Sequence, residues 1–168
     1  QDVRLRAKPA TIRGMALVIP EHVLHGHPAD DSVQLFARNT EEVDRRAIAM
    51  VMAAEQGIGR TPTEKPHNNK GYDIESVDAQ GRHYFIEVKG RIDLPDVSTF
   101  TVTANEIAFA QAQQDRHRLA LVRVSTEGRE HDRLRYVVSA FASFVPSDST
   151  ISYNEDFGQY WNRGTEPR

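Results

Sequence analysis

Apolar residues recur at helical spacing after Asn39. Val43, Ala47, Met50, Val51 and Ala54 fall on one side of a 3.6-residue repeat, and Gly57 makes a natural stop. Asn39 and Thr40 are good N-caps and Glu41 and Glu42 suit the positive end of a helix, so the pattern predicts a helix over 40–57. Residues 59–70 contain two prolines and two asparagines and read as a loop. Alternating and β-branched residues then predict strands over 71–78 and 82–89, joined by Ala79, Gln80 and Gly81. A second loop covers 90–96, and the β-branched run 97–103 predicts a third strand. Thr103 with Glu106 three residues on is a capping-box pattern, opening a helix to about Asp115. Arg116, His117 and Arg118 read as a solvated connection. Leu119 to Val124 is nearly all apolar, as in a strand covered on both faces. Leu134, Tyr136 and Val138 alternate with polar residues in a last, half-exposed strand.

This order of elements predicts an α/β fold, a mixed central sheet flanked by helices. Residues 1–39 read as a lead-in with one short strand at 15–19, residues 40–145 as the core, and 146–168 as a tail. Tyr153, Phe157, Tyr160 and Trp161 are available to pin that tail to the core.

The hairpin loop fixes a register. With Ala79 and Gln80 right-handed and Gly81 left-handed, Asp78 pairs with Arg82, Glu75 faces Phe85, Asp73 faces Glu87 and Gly71 faces Lys89. Alternation then puts Asp73, Glu87 and Lys89 on one face. Tyr72, Ile74, Tyr84, Ile86 and Val88 make the opposite, core face. Opposed carboxylates on neighbouring strands destabilise a hairpin unless a cation compensates, and Lys89 or a divalent metal would do so. Mg²⁺ takes oxygen ligands and keeps several waters, so two acids are a usual protein share. The lysine would orient water or hold developing charge. A solvated face with a weak ion pair is the plainer alternative. Glu75 shares this face and reads as solvent-facing. On the first helix, Asp44 and Glu55 both lie in the arc of Ile48 and Val51, so either is a candidate third acid.

Composition modifies the picture little. The chain has 39% hydrophobic and 27% charged residues, no cysteine, and a net charge of −3 from 21 basic and 24 acidic residues. Disulfides and cysteine-ligated zinc are excluded, and the balance argues mildly against tight autonomous DNA binding. No apolar run is long enough to span a membrane, and a cytoplasmic location is expected. The start is basic (Arg4, Arg6, Lys8, Arg13), and Gln1 in place of methionine suggests a piece of a longer chain. His22, His25 and His27 cluster, although neutral loop histidines are commoner than zinc sites.

Asp73 followed by Glu87-Val88-Lys89 resembles the signature of the PD-(D/E)xK nuclease superfamily, as does the element order. More narrowly, EQGIGR (55–60), GYDIES (71–76), IEVKG (86–90), TANE (103–106) and Leu119–Val124 look like the domain named after the C-terminal part of the plant NO VEIN protein. The resemblance implies a restriction-endonuclease-like fold, Mg²⁺ or Mn²⁺ chemistry on DNA, and attachment to helicases of bacterial restriction or phage-defence systems. Asp73 and Glu87 would bind metal and Lys89 would be catalytic. Two departures are Asp44, where a glutamate is usual, and Ile107, where a bulky aromatic often follows Asn-Glu.

The expected function is therefore metal-dependent DNA cleavage; cutting both strands would use two sites, as in a homodimer. Lys70, Arg82 and Arg91 are candidate phosphate contacts. The alternatives are a catalytically inactive nucleic-acid-binding or sensing module of a larger helicase, and a protein-interaction domain. Asn105 and Glu106 read as helix-capping residues ahead of a catalytic role, with Gln111 a further candidate facing the site.

Overall fold

The computed structural model describes residues 30–67, 69, 71–94, 99–147 and 149–168, with the backbone alone for 30–39. The expected strand at 15–19, the basic start, His22, His25, His27 and Lys70 lie outside the described residues. The chain divides into a unit of residues 1–37 and one of residues 38–168, and the sheets and site below belong to the second.

Helix α1 spans Asp30–Gly57, nine or so residues earlier than the caps suggested. From Asp30 to Arg38 no glycine or proline interrupts the chain, so Asn39 and Thr40 are accommodated inside the helix rather than ending it. Next come β1 (Thr61–Glu64), β2 (Ile74–Val77), β3 (His83–Ile92), β4 (Thr99–Thr103), α2 (Ala104–Gln113), β5 (His117–Val124), β6 (Arg133–Val138), β7 (Ser152–Asp156) and α3 (Phe157–Arg163). The main sheet has five strands in the order β1-β2-β3-β5-β6. Among the described strands only β3 and β5 run parallel, with β4 and α2 in the crossover between them. The α/β expectation with a mixed sheet is met.

Two parts of the topology differ from the sequence reading. β1 arises in the segment read as a loop, and it is a polar edge strand whose Pro62 pairs with Ser76. The strand expected at 97–103 forms at Thr99–Thr103, yet it pairs with β7 in a separate two-stranded sheet. His117 is fully buried at the start of β5 and Arg118 half-buried, where a solvated connection was expected. Among the described residues neither ring nitrogen of His117 has a hydrogen-bond partner, and burial pushes its pKa down to about 4, so the imidazole is neutral.

The sheet carries a core on each face. On one, Val43, Ala47 and Val51 of α1 pack on Ile74, Ile86, Ala120 and Val122. Contact is close because Gly90 has no side chain: a Cβ there would lie 2.9 Å from that of Ala47. On the other face, Ile107 and Ala110 of α2 meet Leu119 and Leu121 together with Phe157, Tyr160 and Trp161. The aromatic residues of the last segment are thus built into this core, in a strand and helix of their own. Val138 is 46% exposed, whereas Val137 is buried against the second core.

Candidate active site

The hairpin forms in the expected register. Val77 faces His83, Glu75 faces Phe85 and Ile74 faces Ile86, and Gly81 takes a positive φ of 75°. The ladder then stops. The N–H of Asp73 also reaches the carbonyl of Ile86, at 2.9 Å, so residues 73 and 74 share one partner, as in a β-bulge. Asp73 therefore does not pair with Glu87 across the sheet, and alternation breaks. Tyr72, expected on the core face with Ile74, instead packs on Phe85 and Phe109, with ring centroids 5.0 Å away in each case. Gly71 allows this turn. Its φ is 101°, and a Cβ would lie 2.6 Å from Cγ of Phe109.

The bulge delivers the Asp73 side chain to the site by a different route. β3 runs on past β2, leaving the N–H of Val88 without a neighbour among the described strands. Oδ2 of Asp73 accepts that bond at 2.8 Å. Its carboxylate is thereby held beside Glu87, which it reaches electrostatically. Glu87 is 4% exposed and points to the α2 face, and Nζ of Lys89 lies 2.5 Å from its Oε1. The same Nζ donates to Oε2 of Glu106 at 3.2 Å.

Two carboxylates thus hold one ammonium, and a third, that of Asp73, interacts with it electrostatically. Burial first, then the charges of Asp73 and Glu106, push Glu87 up to about 8 despite the opposing Lys89. Asp73 is also raised, by burial, against the Val88 hydrogen bond and Lys89. Burial works against the Lys89 ammonium, but Glu87 and Glu106 outweigh it and raise its pKa. Oxygen donors carrying surplus negative charge are the chemistry a hard divalent cation suits. Among the described residues no three Asp, Glu or His side chains already converge as a metal-ligand group.

The first-helix acids separate. They lie about 16 Å apart along the axis, from eleven residues at the helical rise, so one site cannot hold both. Asp44 is the nearer: it is exposed, its pKa is raised by partial burial, and Arg91, Lys89 and His67 act on it. Glu55 is not in the cluster. It is fully buried and bonded to Arg60 at 3.1 Å, and that guanidinium also stacks 3.9 Å over Tyr84.

The candidate phosphate contacts are also committed elsewhere. Arg91 donates to the carbonyls of Thr99 and Gly90. Arg82 pairs with Asp78 at 2.7 Å in the hairpin turn, about 17 Å of strand from Glu87. Glu75 is paired with Lys65 and His83 rather than free in solvent. Gln111 donates to the carbonyls of Phe141 and Phe144, away from the cluster. Glu106, for which capping was the favoured expectation, stands in the cluster. Its capping box with Thr103 is present, and the same carboxylate serves Lys89. The sequence pattern favoured the capping role, and the structure adds the bond to Lys89 beside it.

Fold and cluster define a mixed α/β domain with an acid–acid–lysine group at the broken end of a hairpin. Residues 43–137 match the family described as Protein NO VEIN, C-terminal, and the chain belongs to that family. Neither curated proteins nor solved structures return a match. No described helix is long and apolar enough to cross a membrane.

Proposed function

We propose that the domain is a metal-dependent DNA endonuclease of the PD-(D/E)xK type, acting within a longer helicase-containing chain of a restriction or phage-defence system in the cytoplasm. The observation that carries this reading is the cluster itself. At the bulge the Asp73 carboxylate accepts the backbone N–H of Val88, which places it beside a buried Glu87 whose pKa is driven up and whose lysine neighbour is two residues on.

In this reading Asp73 and Glu87 hold Mg²⁺ or Mn²⁺, with waters completing the shell. When bound, the ion supplies Lewis-acid stabilisation of the phosphodiester and acidifies a water. Asp73 keeps its orientation through the Val88 N–H, independently of substrate. Lys89, an ammonium at neutral pH, donates hydrogen bonds to the attacking water or a non-bridging phosphate oxygen. The test is plasmid cleavage with either metal. Wild type should cut, and Asp73→Ala and Lys89→Ala should each lose about two to three orders of magnitude. Equal cutting by all three would mean contamination and end the claim.

The second reading, an inactive nucleic-acid-binding or sensing module, draws on the engagement of Lys89 with two carboxylates. Salt-dependent DNA binding without metal-dependent cutting would favour it.

A further inference from the structure

Lys89 carries its charge on a flexible four-carbon stem, and its nearest acid, Glu87, is two residues away on the same strand. With that partner alone the ammonium would be free to fold onto Glu87 in several rotamers. Glu106 supplies a second anchor from another element, and this anchor is itself immobilised. Its Oε2 accepts the Thr103 N–H at 2.9 Å, and its own N–H donates to Oγ1 of Thr103 at 3.2 Å. The next N–H, of Ala104, is taken by the carbonyl of Ile151 at 2.9 Å, and Ile107 is fully buried. The first turn of α2 is therefore fixed on several sides before it meets the lysine.

We propose that Glu106 is a positioning residue for Lys89: the capping box of α2 sets where the ammonium sits between two carboxylates. The inference rests on the nuclease reading for its consequence in rate, though not for its geometry. Glutamine also serves at this position of a capping box, so Glu106→Gln keeps the cap and removes the charge. Ile107→Val trims the core on the same helix and touches no polar group.

The experiment uses the full chain and both variants, measuring Mg²⁺-dependent plasmid cleavage, thermal melting and a crystal structure of Glu106→Gln. Glu106→Gln should melt close to wild type, with unchanged KM and kcat lower by about tenfold to a hundredfold. Ile107→Val should melt lower and keep its kcat. In the Glu106→Gln crystal the Lys89 ammonium should leave its seat opposite the start of α2. Retention of kcat in Glu106→Gln, or losses that follow melting temperature in both variants, overturns the proposal. If wild type does not cut, the nuclease reading falls and the crystal decides this inference alone: an unmoved ammonium defeats it, a displaced one upholds it.

Discussion

Glu55 and Glu87 are both buried glutamates, packed against opposite faces of one sheet, and their charges are met in opposite ways. Glu55 sits in the last turn of α1, on its sheet-facing side, with the Arg60 guanidinium, which is held in turn by the Tyr84 ring and the Arg168 carbonyl. Glu87 shares one ammonium with Asp73 and Glu106 nearby, and its carboxyl is driven up to about 8. A matched pair is what a fold needs to bury charge, whereas surplus like charge is retained where a ligand or a reaction uses it. That difference separates a fastening of the fold from a candidate site, although the two look alike in sequence.

The comparison breaks most directly at Glu55. Glu55→Ala leaves a mostly buried guanidinium uncompensated and should cost about 3–5 kcal/mol in urea unfolding, with or without Mg²⁺. A loss well under 1 kcal/mol would remove the distinction between the two glutamates.

A smaller effect, of a few kcal/mol, should come from Glu87 through pH. A carboxyl raised in the folded state binds its proton more tightly there than in the unfolded chain. Its stabilising contribution is complete below the unfolded value near 4.5 and is lost as pH climbs through about 8. Metal-free wild type should therefore lose stability between those limits, and Glu87→Gln should flatten the slope. Melting curves across that range check it. Mg²⁺ should offset the loss at the alkaline end in wild type and do nothing for Glu87→Gln.

Gly71→Ala sharpens the contrast at about 1–3 kcal/mol, because it combines a positive φ with overlap on Phe109. The strain falls on the turn leading into Asp73. Cleavage should suffer more than stability explains, while the Glu55–Arg60 side is untouched. Parallel loss of both in unfolding and cleavage assays would tie Gly71 to folding alone.

Much of this was legible in the sequence. Gly81 and the loop length determine hairpin register, and the Thr103–Glu106 pattern forms the cap it promised. What was not legible came from contacts between distant segments. Gly71 is the one local hint of a bulge in 71–73, and the bulge itself depends on Phe109 and on β3 outrunning β2. β1 has no apolar alternation because it is an edge. The partner of β4 lies some fifty residues on, so periodicity placed it in the wrong sheet. Glu106 was assigned a complete job by its neighbours in sequence, and only the crossover packing of α2 reveals its second one.

The pairing of β4 with β7 has a practical consequence for excising the domain. The family match ends at residue 137, whereas β7 and α3 lie beyond it. A fragment trimmed to the matched stretch would expose one whole edge of β4 and strip Phe157, Tyr160 and Trp161 from Phe100 and Leu121. An open strand beside bare aromatic surface invites self-association, so a soluble recombinant piece has to run on through Arg163.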